Sequence, residues 1–126
     1  MAERRGISGR AMARIDNTLG APTFLLKKAV SGSDTSFTIV GNTPFKFRVI
    51  DMWIVLTATG DSTDTVRLDR NSTAMTNALD ANVADKTVVR AGTIDDAQHE
   101  LSVGDALKIT TVNTVAADVY VLCTRI

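Results

Sequence analysis

Cysteine is nearly absent from this sequence, Cys123 being the only one. A disulfide framework within the chain is therefore excluded, and so is a cysteine-based zinc site. Cys123 sits among apolar residues and is expected to be an inert buried thiol. Histidine is equally scarce, with His99 alone in "AQHELS". A sandwich enzyme that holds a metal through several histidines and a glutamate is thereby ruled out. His99 and Glu100, read as neighbours on a strand, are expected to point to opposite faces and to make poor co-ligands. There is no "GxSxG" elbow, and "GISG" near the start opens no strand–loop–helix unit that would cradle a phosphate. No run approaches the ~20 apolar residues that span a bilayer, and the arginines at the N-terminus have no apolar signal-peptide segment behind them. The expectation is a soluble protein made in a cytoplasm, with no catalytic residues, no cofactor, no metal and no membrane contact.

Aromatic residues make up 5% of the chain, so the core must rest on Val, Ile, Leu and Ala. Sugar-binding modules stack pyranose faces on exposed aromatic rings, and one Trp with one Tyr is a thin supply. A carbohydrate- or receptor-binding sandwich is therefore the alternative reading. An excess of charge is missing too: fourteen basic and fourteen acidic residues give a formal net charge of zero. That argues against direct nucleic-acid binding by the domain. The asymmetry that exists is at the start, where Arg4, Arg5, Arg10 and Arg14 face only Glu3 among the first fourteen residues.

What the chain has in quantity is Val and Thr, whose branched Cβ suits a pleated surface. Its 126 residues suit a single domain. Residues 1–20, with three glycines and little periodicity, read as a basic flexible arm or a plain terminal tail. Residues 21–126 read as a β-domain. About eight short strands are expected, with turn signals roughly every 8–12 residues. This spacing suggests an all-β, antiparallel sandwich or barrel. One stretch, Met75–Ala84, is ambiguous and admits a short helix weakened by its Asn and Asp residues. Acidic residues gather at Asp61 with Asp64, and at Asp95, Asp96 and Glu100. Neither group has calcium-loop spacing, and both are read as turn chemistry.

The longest predicted strand is "FKFRVIDMWIVLT", Phe45–Thr57. Phe45, Phe47 and Val49 share one face with Lys46 and Arg48 opposite. Past Asp51 both faces become apolar, with Met52, Ile54 and Leu56 on one and Trp53 and Val55 on the other. A bulge or bend at Asp51 fits that change. The closing strand, "ADVYVLCTRI", is again apolar on both faces. Each large aliphatic group left in water forfeits about 1.5–3 kcal/mol, so something is expected to cover Trp53, Val55, Tyr120 and Leu122. The candidates are the N-terminal arm, the Met75–Ala84 segment, burial within the chain, or another subunit. Subunit contact is assigned to those four residues.

The runs "DKTVVRAGTID" (Asp85–Asp95) and "LSVGDALKITT" (Leu101–Thr111), with "FKFRVIDMWIV" and the closing "VYVLCTRI", resemble the decoration or cement proteins of tailed-bacteriophage capsids. The resemblance runs from about Pro22 to the C-terminus and lies in strand and turn patterns rather than in a catalytic signature. It implies a jelly-roll sandwich that assembles as a homodimer or homotrimer and clamps major capsid protein subunits from the outside of the virion. It implies synthesis in the cytoplasm of a host bacterium. Within that picture Arg4, Arg5, Arg10 and Arg14 form a capsid-binding arm.

Overall fold

The computed structural model describes residues 22–32 and 34–126. The arm, and with it Arg4, Arg5, Arg10 and Arg14, lies outside the described residues. Among the described residues there are ten strands: β1 (Thr23–Val30), β2 (Ser36–Val40), β3 (Phe47–Leu56), β4 (Thr65–Arg70), β5 (Thr73–Ala74), β6 (Leu79–Asp80), β7 (Val88–Arg90), β8 (Glu100–Leu101), β9 (Leu107–Val112) and β10 (Ala117–Arg125). All pairings are antiparallel.

The pairings nest: β1 with β10, β2 with β9, β3 with β7 and β8, and β4 with β5 and β6. This is one long antiparallel hairpin rolled over on itself, closed by the contacts of β10 with β3 and of β9 with β4. Sheet A runs β1-β10-β3 and then β7 and β8 along one edge; sheet B runs β2-β9-β4 and then β5 and β6. Eight of them, β1–β4 and β7–β10, match the expected strands, and β5 and β6 fall in the stretch read as ambiguous; together the ten fill the eight columns of a jelly roll. Two columns are each broken into two short strands, which accounts for the ten.

The core sits between the sheets and is supplied by alternate residues. From β3 come Phe47, Val49, Met52, Ile54 and Leu56, and from β10 come Ala117, Val119, Val121 and Cys123, all buried. The step from Val49 to Met52 breaks the period of two, and a bulge restores it. Leu122 pairs with Asp51 and Cys123 with Val49, leaving Ile50 as the extra residue. The Asp51 carboxylate accepts the Met52 N–H at 2.8 Å, satisfying a donor at the irregularity.

No helix forms over Met75–Ala84. The segment is drawn into sheet B as β5 and β6, with Met75, Leu79 and Ala81 in the core. Tertiary burial of these apolar residues decided the matter, since the intervening Asn and Asp give a helix little support. The segment is therefore not the cover for Trp53 and Val55.

One end of the sandwich is tied together by Asp105. Its carboxylate accepts the Ser102 N–H at 2.8 Å, Arg70 Nε at 3.0 Å and Asn71 Nδ2 at 3.3 Å. Its carbonyl accepts the N–H and hydroxyl of Thr43 at 2.9 and 2.6 Å. Three loops are thus joined at one residue. The Ser102 N–H, followed by Asn71 and Arg70, holds the Asp105 carboxyl below the ordinary carboxylate range.

Candidate interaction surface

The two outer sheet faces differ in kind. On sheet B, β4 presents Thr65, Arg67 and Asp69, and β9 presents Lys108, Thr110 and Val112. Asp69 is almost buried there, because Arg67 grips it through Nε at 2.7 Å and Thr110 donates its hydroxyl at 2.6 Å. The Asp69 bond is the main cause raising the Arg67 pKa. This face satisfies itself and carries mostly polar groups, as a water-facing sheet should.

The outer face of sheet A carries a patch of aromatic and aliphatic side chains with charged groups around it. Its register defines three rows around the aromatic pair and, beyond Leu25 and Leu122, a polar fourth row of Thr23, Thr124, Arg48 and Glu100. The central row reads Lys27, Tyr120, Trp53, Arg90 across β1, β10, β3 and β7. Tyr120 and Trp53 stack with centroids 5.7 Å apart and planes 12° from parallel. Lys27 Nζ lies 5.6 Å from the Tyr120 centroid and the Arg90 guanidinium 5.5 Å from the Trp53 centroid. One flanking row reads Leu25, Leu122 and then Asp51, beside the bulged Ile50. The other reads Ala29, Asp118, Val55, Val88.

All four residues assigned to subunit contact, Trp53, Val55, Tyr120 and Leu122, therefore lie together on this one face. Each is half-buried, and their neighbours Leu25, Ile50 and Val88 are 52%, 44% and 60% exposed. Three of the six exposed large hydrophobic residues among those described belong to this face. Val88, Leu25, Lys27 and Arg90 were not singled out in sequence. The signal existed as strand alternation, but placing them beside Trp53 and Tyr120 requires the cross-strand register.

The central row also bears on the carbohydrate alternative. Stacking with cations on either side is worth about 0.5–1.5 kcal/mol for the ring pair and about 0.5–1 kcal/mol for each exposed cation. The rings are thus held in place, each with one face against the other ring and one against a cation. A sugar would need to displace a cation to stack. The row suits a rigid contact surface better than a pyranose platform.

The other candidate residues resolve into structural roles. Asp64 accepts the Asp61 N–H at 2.8 Å, and Asp95 accepts the Ala97 N–H at 2.8 Å, so both acidic groups build turns. Among the described residues no cluster of three His, Cys, Asp or Glu stands ready for a metal ion. His99 differs from expectation: it precedes β8 instead of lying in it, and its Nε2 comes within 3.8 Å of Glu100 Oε2. The alternation rule did not apply outside the strand. Cys123 is fully buried, and desolvation pushes its thiol up to about 12. Among the described residues no helix is long and apolar enough to cross a membrane.

No family model and no curated protein sequence matches the chain. Solved structures do. A chain in the acidic stable capsid of Helicobacter pylori bacteriophage KHP30 superposes with a TM-score of 0.62 at 13% identity, covering 83% of this chain and 89% of that one. A chain in the capsid of Ralstonia phage GP4 gives a TM-score of 0.54 at 10% identity, covering 83% and 84%. At such identities the likeness establishes the fold alone, over more than four fifths of each chain.

Proposed function

We propose that this chain is a structural protein of a bacteriophage virion that binds the outside of the capsid and cements neighbouring major capsid protein subunits. The observation that carries the proposal is the likeness, over 83% of this chain, to chains in two phage capsids, KHP30 and GP4. A jelly roll in which, among the described residues, no three His, Cys, Asp or Glu converge on a metal site fits a binding role, and the sequence resemblance points the same way.

In this reading the molecule divides its work. The outer face of sheet A, centred on Trp53, Val55, Tyr120 and Leu122, makes contact with another subunit. The arm reaches along the shell through Arg4, Arg5, Arg10 and Arg14. Charge is partitioned to match: residues 1–21 carry four arginines against Glu3 and Asp16, whereas residues 22–126 carry ten basic against twelve acidic residues. A basic arm gains affinity for an acidic groove, and tying one subunit to several neighbours multiplies modest contacts. Assembly as a homodimer or homotrimer, location on the virion exterior and synthesis in the host bacterial cytoplasm belong to the same proposal.

The test is co-sedimentation with empty shells of the major capsid protein from the virus that carries this chain. Full-length protein is expected to sediment with the shells, and protein lacking residues 1–20 to fold normally but bind more weakly. Equal binding by the truncated protein would refute the arm's role. Absence of binding by the full-length protein would refute the cement reading itself.

A further inference from the structure

The charges on the outer face of sheet A are arranged around the aromatic pair in a pattern that nearly repeats itself after half a turn. Rotating the face by 180° about a point between Tyr120 and Trp53 exchanges β1 with β7 and β10 with β3. It carries Lys27 onto Arg90, Tyr120 onto Trp53, and Leu25 onto Val88, as the register dictates. Leu122 falls on Val55 and Asp51 on Asp118. The ion pairs obey the same exchange: Lys27 Nζ is 3.8 Å from Asp118, and Arg90 Nε is 3.3 Å from Asp51.

Sheet geometry fixes the spacing. Strands lie ~4.8 Å apart and successive outward residues ~6.7 Å apart along a strand. The two cations and the two carboxylates then each stand roughly 7 Å from the centre of the face, alternating in sign around it. Such a pattern is its own complement. When two of these faces meet about a two-fold axis lying diagonally in the contact plane, each cation of one copy falls opposite a carboxylate of the other. The ring pairs meet at the centre. An axis along the strands would instead set Lys27 against Arg90, and one along the rows would set Lys27 against Lys27, so the diagonal is selected by charge.

We propose that this face docks onto the same face of a second copy, forming an isologous two-fold dimer with the Tyr120–Trp53 pairs at its centre. The proposal rests on reading the face as a subunit contact, and it commits that contact to a second copy of this chain. A closed symmetric dimer needs only a self-complementary patch. The footprint of four strands and three rows, about 19 by 20 Å, is below the ~800 Å² per partner of a standard interface. Association is therefore concentration-dependent rather than obligate.

The test is sedimentation equilibrium of the full-length chain over a concentration series, alone and with paired charge variants. The mass is expected to rise from 13.5 kDa towards twice that value. Trp53 is the only tryptophan, so its emission should move to shorter wavelength over the same range. The variant Lys27→Glu with Arg90→Glu makes the four charges around the aromatic pair all acidic, and Asp51→Lys with Asp118→Lys makes them all basic. Each alone is expected to remain at 13.5 kDa where the unaltered chain doubles, and their equimolar mixture to recover the doubled mass. Because Asp51 also supports the bulge, folding is checked by circular dichroism, and Asp118→Lys alone serves if the double variant does not fold. A mass that never rises, a mass of three chains, or variants that associate as the unaltered chain does would overturn the two-fold dimer. A monomer that still sediments with shells would do so while leaving the virion reading intact.

Discussion

Among the described residues, Gly60 is the glycine whose replacement should cost most. A Cβ built there would overlap the carbonyl oxygen of Ala81 and stand 2.8 Å from its carbonyl carbon and 3.2 Å from the Cα of Asn82. All three are backbone atoms, so no side-chain rotation relieves the clash. The β3–β4 loop and the segment after β6 must part. Their link is the Gly60 N–H to Val83 carbonyl bond at 2.9 Å, with the Ala81 N–H to Asp64 carbonyl bond at 2.9 Å close by. Overpacking of this kind costs about 1–3 kcal/mol, and one lost hydrogen bond adds about 1 kcal/mol. The reduced freedom of the unfolded chain returns about 0.4–1 kcal/mol. Gly60→Ala should therefore destabilise by roughly 1–3 kcal/mol, lowering the melting temperature by roughly 5–20 °C. Gly41→Ala is the control, since the nearest atom to its added Cβ is the methyl of Thr38 at 3.7 Å. Thermal unfolding followed by circular dichroism reads both. A Gly60→Ala shift as small as that of Gly41→Ala would refute the reasoning.

Cys123 should resist thiol reagents at pH 8 while the chain is folded and react only on unfolding. Its thiol rises from 9.0 to about 12 on folding, so its contribution to stability is constant below pH 9 and is lost as pH rises from 9 towards 12. Labelling that tracks time rather than unfolding would contradict this. Asp105→Ala should destabilise by about 1–3 kcal/mol, because it strands the Ser102 N–H and the donors of Arg70 and Asn71. The lowered pKa of Asp105 means that its contribution is present above the ordinary carboxylate range and lost as pH falls through the folded value. The variant should accordingly show a smaller loss of stability in acid, measured by urea titration at several pH values. Ile54→Ala, at a fully buried position in the middle of β3, should cost about 2–5 kcal/mol in the same urea assay, and a cost under 1 kcal/mol would contradict its place in the core.

The sequence carried more of the fold than of the surface. A bulge was expected at Asp51 from the change of parity, since Val49 and Met52 cannot share a face of a regular strand, and the extra residue is its neighbour Ile50. The turn at Val103–Asp105 was legible from its glycine, which adopts φ 93°. The fate of Met75–Ala84 was not, because strands of two residues leave no periodicity to read. Their pairing depends on where β4 lies. His99 was misjudged for a related reason: alternation was applied one residue before its strand began. On the surface, Trp53, Val55, Tyr120 and Leu122 stood out as apolar residues on a second face. Lys27 and Arg90 did not, since each meets its ring only through a cross-strand partner more than thirty residues away. Whole-row patterns become visible only once register is known.

The claim that this protein cements a capsid is tested most directly by the melting temperature of empty major-capsid-protein shells, measured calorimetrically with and without saturating full-length chain. A ligand that binds the assembled shell and not its dissociated subunits must stabilise the shell. The account predicts a clear upward shift that saturates with added protein. An unchanged shell melting temperature at saturation would contradict it.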